Sequence, residues 1–230
     1  MRFDPALIRF SGELPLFPLP KVVLFPGARI PLHIFEPRYR LMVSDAEQGE
    51  GLIGLVLPRK SSLGTTGPIP ELHTVACLGQ IRNLQQLRDG RFLLQLVGLQ
   101  RVRIERELDR NKPYRLAQVE LMPEVIQPLE AGRARNCASD VIVKFNHILR
   151  ALTEPPCSAF TIHKDASPGL LLDVISYYLP TDADLKQRLL ERVDVLQRGR
   201  LLLEILKTLS LALNSTSDAR VHLFPFPSKN

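Results

Sequence analysis

Tryptophan is absent from the chain and cysteine occurs three times, as Cys77, Cys137 and Cys157, far apart and odd in number. That pattern does not make a disulfide framework, and a reducing cytoplasm is the expected location. No apolar run approaches the roughly 20 residues that cross a bilayer, because the richest one, from Leu201 to Leu213, is broken by Glu204 and Lys207. Met1 to Ser11 carries Arg2, Asp4 and Arg9 without an apolar core, so no secretory leader is expected. Blocks of one charge sign are lacking too. Residues 1–122 hold 17 basic and 12 acidic residues and residues 123–230 hold 13 and 12, but the signs alternate, as in "RVRIERELDR". A mixed, solvated surface is the expectation from that interleaving, ahead of a nucleic-acid face. The 6% of aromatic residues counts further against stacking on single-stranded bases.

Chemical motifs are equally sparse. There is no phosphate-cradling G-x-x-x-x-G-K-[ST], no dinucleotide G-x-G-x-x-G after a strand and no G-x-S-x-G nucleophile elbow. The histidines at 33, 73, 147, 163 and 222 are scattered. His73 and Cys77 would share one strand face, two ligands short of a structural zinc site, and Cys157 and His163 would join them only by chance of folding. Cys137, in a helical pattern, reads as a small buried hydrophobe, and Ser139 and Lys144 do not share a helical face. Asp182/Asp184 and Glu105/Glu107 read as solvated. The expectation is a non-enzymatic chain with no catalytic residues, no cofactor and no metal.

Proline is what the sequence has in quantity. "LPLFPLPKVVLFPGARIPLHIFEPRY", from Leu14 to Tyr39, places six prolines among aliphatic and aromatic residues. Each removes a backbone donor and resists a helix interior or a central strand. "KVVLF" reads as a strand ending at Pro26-Gly27, which suits a type II turn and hence a corner. "ARIPLHIF" follows as a second strand with Pro31 at an edge or bulge. Pro37 fits the first turn of a helix that has Gly49 just past its end. "LIGLVLP" is a short buried strand, and Ser61 to Glu71 is a loop. Asp89-Gly90 marks a hairpin. On its return strand Phe92, Leu94 and Leu96 alternate, and Val102 and Ile104 then alternate against Arg101, Arg103 and Glu105, with Gly98 between the runs as a bulge. Ala117, Val119 and Leu121 form a further strand. Short strands with corners predict a small, highly bent sheet or barrel.

After Pro123 the period becomes helical. Val141, Phe145, Ile148 and Leu152 mark one face, ending before Pro155-Pro156. Ser167-Pro168 caps a helix whose face is Leu171, Val174, Ile175 and Tyr178. Thr181 with Asp184 resembles a capping box before "LKQRLLERV". Asp194 caps a last helix, inside which Gly199 costs about 1 kcal/mol relative to alanine and marks a candidate break. The tail "VHLFPFPSKN" is not helical throughout. The fold class is α+β, with a β-rich domain over 1–122 and a bundle of about four helices with an irregular tail over 123–230.

The quoted stretch resembles the opening of the N-terminal substrate-binding domain of the ATP-dependent Lon protease family. The matching elements are Leu14-Pro15-Leu16, Phe25-Pro26-Gly27, Pro31-Leu32 and, as in stand-alone bacterial relatives, Phe35-Glu36-Pro37-Arg38-Tyr39. "GQIRNLQQLRDGRFLLQLVGLQRVRI" and "LLLDVISYYLPTDADLKQRLLERVDVLQRGRLLLEIL" are similar to later segments of that family. The resemblance implies a PUA-like pseudo-barrel followed by helices, and a role in recognising proteins. It covers neither the ATPase motor nor the Ser-Lys protease domain, so unfolding and cleavage by this chain alone are not expected. The expected function is a non-catalytic module that binds exposed apolar polypeptide segments or docks to a partner protein. The alternative is an RNA-binding protein that uses a basic PUA-like surface. Phe25, Pro26, Gly27 and Phe35 have a structural explanation, a turn and its core packing, and Glu36 with Arg38 or Arg29 is expected to be an ion pair. The candidate partner-binding residues are Phe35, Arg38 and Tyr39.

Overall fold

The computed structural model describes Leu7 and residues 10–60, 70–152 and 166–215. Most of the expected loop after Lys60, the Pro155-Pro156 break, Cys157, His163 and the C-terminal tail lie outside the described residues. The chain divides into two compact units, Met1–Pro123 with Ala183–Glu191, and Glu124–Asp182 with Arg192–Asn230. The described residues form six strands and five α-helices, an α+β fold.

The first unit holds β1 (Glu13–Pro18), β2 (Arg29–Ile34), β3 (Leu52–Val56), β4 (Val75–Gln86), β5 (Phe92–Leu108) and β6 (Arg115–Met122), with helix α1 at Pro37–Gln48. The sheet order is β2-β5-β4-β3-β1-β6, and β5 also pairs with β6. Five strands therefore close into a ring, and β2 stands outside it. The 17-residue β5 makes this possible by dividing its pairing. Its first residues, Phe92 to Val97, lie opposite β2, whereas Arg101 to Leu108 lie opposite β6. The ring interior is filled by side chains from all five of its strands, among them Leu14 and Leu16, Leu52 and Val56, Leu78, Val102 and Val119.

Local chemistry sets the corners. Gly27 has φ +78° and Ala28 N–H donates to the Phe25 carbonyl at 3.0 Å, the expected type II turn. That turn carries the Phe25 carbonyl over β5, where a Cβ on Gly98 would stand 2.1 Å from the oxygen. The register of β4 against β5 slips between Leu78 and Gly79, opposite Gln100 and Gly98, so the bulge expected near Gly98 is present. Among the described residues, Pro31 sits on β2, which pairs with β5 alone, and Pro15 pairs with Leu116 of β6 alone. At both places the missing donor is tolerated. The Asp89-Gly90 hairpin is present, with Gly90 at φ +79°.

Three expectations for this unit need correction. "KVVLF" is not a strand, since β1 lies earlier, at Glu13–Pro18. Lys21 at φ +65° turns the chain, and Val23, Leu24 and Phe25 are all buried, which an alternating strand with one solvated face does not allow. Gly49 stands just past α1, as expected, and its N–H meets the Ala46 carbonyl at 3.1 Å. Arg101, read as outward-facing, is 2% exposed. Its Nε donates to the Leu190 carbonyl at 2.7 Å, at the end of helix α4 (Ala183–Leu190), which groups with the first unit. Helix α4 also gives Gln187 Nε2 to the Val75 carbonyl at 2.9 Å. It begins at Ala183, so Asp182, not Thr181, occupies the cap position.

The second unit holds α2 (Ala131–Leu152), α3 (Pro168–Tyr178) and α5 (Val195–Ser215). Val141, Phe145 and Ile148 are buried as the period indicated. Cys137 is buried as well, and burial pushes its thiol up from the ordinary value. Ser167 Oγ accepts the Leu170 N–H at 3.2 Å and Asp194 Oδ1 accepts the Gln197 N–H at 2.8 Å, the two expected caps. The buried face of α3 is rotated from the expected one, to Leu172, Asp173, Ile175 and Ser176. The rotation has a cause. Asp173 Oδ1 meets Nε of the fully buried Arg198 at 3.0 Å, and Glu124 Oε2 lies 3.2 Å from its Nη2. Helix α5 runs unbroken through Gly199, where a Cβ would stand 2.7 Å from Cys137 Sγ. The glycine permits close helix packing.

Candidate functional site

Phe35, Arg38 and Tyr39 line one groove of about 530 Å³ in the first unit. Strand β2 ends at Ile34, and the chain turns there into α1, because Pro37 suits the first helical turn and cannot extend a strand ladder. The turn throws Phe35 outward, and it is 60% exposed. It is therefore not part of the core, contrary to the expected structural role, whereas Phe25 is fully buried. Tyr39 is 7% exposed and packs edge-on against Phe17 of β1, with ring centroids 4.7 Å apart. Burial pushes its phenol up from the ordinary value. Arg38 lies over the Tyr39 ring, 4.6 Å from its centroid, and its Nε donates to Glu36 Oε2 at 2.9 Å. The expected ion pair of Glu36 is thus with Arg38.

Pro18, Pro20, Pro58, Pro70 and Pro113 are also part of the lining. None of them has an N–H, so this part of the lining offers rigid apolar rings and carbonyl oxygens but few donors. Much of the remaining wall comes from the same Leu14–Tyr39 stretch.

The far wall was not found from sequence. Lys112 and Tyr114 both donate to Asp45 Oδ2, at 2.9 and 2.6 Å. The Lys112 hydrogen bond, and then that of Tyr114, holds the Asp45 carboxyl below the usual range. Burial first, and the Asp45 hydrogen bond second, pushes the Tyr114 phenol far above its ordinary value. At neutral pH Asp45 is therefore an anion and Tyr114 a fixed donor. Arg115, beside them, pairs with Glu107 and gives Nη1 to the Pro70 carbonyl at 2.7 Å. In sequence, Asn111-Lys112-Pro113 signals only a break, since Asp45 is remote along the chain. The cations that line the groove thus have carboxylate partners: Arg38 with Glu36, Lys112 with Asp45 and Arg115 with Glu107. Such a wall presents shape and apolar surface more than net charge. Among the described residues no cluster of three or more His, Cys, Asp or Glu side chains is placed to hold a metal ion. His73, one half of the weak metal pattern, instead faces Glu191 with Nδ1 at 3.4 Å from Oε1.

Fold and groove together define an α+β module with a concavity of ligand-binding size. The family model described as the ATP-dependent protease La (LON) substrate-binding domain matches residues 13–208, and the chain belongs to that family. It is 28% identical over 228 residues to a Lon protease of Anaeromyxobacter dehalogenans, covering 94% of this chain and 26% of that protein. It is 27% identical over 211 residues to Lon protease 2 of Myxococcus xanthus, covering 90% and 25%. The chain therefore spans about a quarter of the length of these curated relatives. Among solved structures, the N-terminal domain of Mycobacterium avium complex Lon protease superposes with a TM-score of 0.65 at 16% identity, covering 85% of this chain and 98% of that one. A Lon N-terminal domain protein from Xanthomonas campestris gives a TM-score of 0.56 at 22% identity, covering 84% and 97%. At those identities the likeness shows the fold. The match within this chain is to the substrate-binding domain and not to an ATPase or protease domain. No helix among the described residues is long and apolar enough to cross a membrane.

Proposed function

We propose that this chain is a non-catalytic recognition module, working in the cytoplasm, whose groove receives an exposed apolar segment of a polypeptide. The supporting observation is Phe35, 60% exposed at the mouth of a groove walled by prolines and aromatic rings. Covering one large apolar side chain contributes about 1.5–3 kcal/mol, so a few such contacts give weak, sequence-tolerant binding. Phe35 is the apolar contact, Tyr39 is the floor against which the client packs, and Arg38 is held over that floor by Glu36. Because the lining cations already have carboxylate partners, affinity should depend little on salt.

Fluorescence anisotropy of a labelled, permanently unfolded polypeptide tests this. Phe35→Ala should weaken binding by about tenfold, the equivalent of 1.4 kcal/mol. Phe35→Leu should retain most of it. Equal affinity in all three proteins sinks the groove as the site. Binding confined to folded partners would instead make the chain a docking adaptor. Affinity for RNA that collapses as salt rises would favour the nucleic-acid reading.

A further inference from the structure

A second concavity, of about 330 Å³, shares no lining residue with the groove. It lies on β2, β5 and β4. Arg29 stands opposite Val97, which stands opposite Gln80, and Gln95 stands opposite Arg82. Residues that are paired in register, or two apart on one strand, point to the same face. Arg29 and Arg82 therefore rise from one face, on strands separated by β5, about 10 Å apart across the sheet. Two long guanidinium side chains at that spacing can converge on a single oxyanion. Neither forms an ion pair among the described residues, in contrast to the cations of the groove.

Further observations concern the occupant. The register of β4 against β5 breaks between Arg82 and Gln85, and Asn83 there adopts φ +51°. A bulge of this kind re-aims a side chain, and Asn83 lines the cavity. An occupant that suits the cavity carries a negative charge for the two arginines. Among the described residues no aromatic side chain lines the cavity, so they offer no stacking platform of the kind single-stranded nucleic acid uses. Strand β2 is also a terminal strand, with an outer edge that an extended polypeptide can follow.

We infer that this concavity is a second polypeptide subsite, selective for an acidic residue whose carboxylate is held by Arg29 and Arg82. The inference takes its class of occupant from the polypeptide-recognition reading but does not use the groove. Its test is an NMR titration of the full chain, following the side-chain amide signals of Gln80, Asn83 and Gln95. The probes are a short capped glutamate-rich peptide, its glutamine counterpart, an oligouridylate and inorganic phosphate. The glutamate peptide should give saturable shifts at least about tenfold tighter than the glutamine peptide, the scale of a charge-assisted pair. The R29Q/R82Q double variant should abolish that preference, and R29K/R82K should restore part of it. Binding of an apolar polypeptide at Phe35 should be unchanged in both. Equal affinity for the two peptides, or a preference that survives R29Q/R82Q, overturns the proposal. Tighter binding of oligouridylate or of phosphate alone also overturns it, in favour of a phosphate site. Loss of apolar binding in Phe35→Ala without change at Gln80, or the reverse, separates failure of one reading from failure of the other.

Discussion

A methyl group added at Gly98 would stand 2.1 Å from the backbone oxygen of Phe25, and one added at Gly199 would stand 2.7 Å from the side-chain sulfur of Cys137. Both glycines allow a close approach, but the obstacles differ. In the barrel unit the obstacle is a carbonyl fixed by the Pro26-Gly27 turn and by the Gly27 N–H bond to the Gly98 carbonyl at 2.8 Å. In the helical unit it is the end of a side chain. Of the buried arginines, Arg101 gives its Nε to the Leu190 carbonyl, and Arg198 gives Nη1 to the Arg192 carbonyl at 2.6 Å and also meets two carboxylates, Asp173 and Glu124. At Gly98 the barrel unit is crowded by backbone, and at Gly199 the helical unit is crowded by a side chain.

The largest expected effect is on the buried charges. Arg198→Ala leaves the Asp173 carboxyl, 2% exposed, without its cation, and breaking such a pair costs about 3–5 kcal/mol. Hydrogen exchange should show the loss first in α2, α3 and α5. Replacing the pair together, with R198M and D173L, should recover most of it. If the single variant unfolds like the parent, the charge network does not hold the helical unit.

Gly98→Ala comes next, at the upper end of the roughly 1–3 kcal/mol typical of overpacking, because a carbonyl cannot rotate aside. Cys77 Sγ is also near, 3.1 Å from the added carbon, yet Cys77→Ala should not rescue the variant. Gly199→Ala should cost about 1 kcal/mol or less, since alanine's better helix propensity offsets the contact. Here Cys137→Ala should rescue, making the double variant more stable than C137A alone. Thermal unfolding of the four proteins in each set decides the matter. Equal rescue at both glycines would erase the distinction between backbone and side-chain obstacles.

The smallest effect is in pH. The Asp45 carboxyl is held low, so its contribution to stability is present above the unfolded carboxylate value and is lost as pH falls through the lower folded value. Tyr114 is shifted upward, so its contribution is full below its ordinary value of 10.0 and is lost as pH rises beyond it. Tyr114→Phe should flatten the alkaline limb of a stability–pH curve and leave a shallower acid limb, at a cost of about 1 kcal/mol at neutral pH. An unchanged alkaline limb would show that the phenol does not carry it.

What was legible in the sequence was local chemistry. Pro26-Gly27, Asp89-Gly90, Pro37, Ser167 and Asp194 each act within a few residues, and each marks a turn or cap in the structure. Phe35, Arg38 and Tyr39 were legible as neighbours because they share one turn. The illegible features all depend on distant partners. Nothing near Arg101 announces the Leu190 carbonyl, and nothing near Arg198 announces Glu124 or Asp173. The division of β5 between β2 and β6 follows from ring closure rather than from alternation along β5. The exposure of Phe35 was misjudged for the same reason. An apolar residue at a strand end reads as core until the neighbouring elements are placed.

The membership of α4 in the barrel unit has a consequence during synthesis. The ring strands are complete once Met122 has left the ribosome, but Gln187, whose amide meets the Val75 carbonyl, emerges only after Glu124–Asp182. At about 5–20 residues per second, the nascent barrel waits several seconds for the helix that supplies these contacts. Over that interval the side chain of Arg101 lacks the Leu190 carbonyl. All the barrel strands are therefore synthesised several seconds before Val75 and Arg101 can gain these two partners.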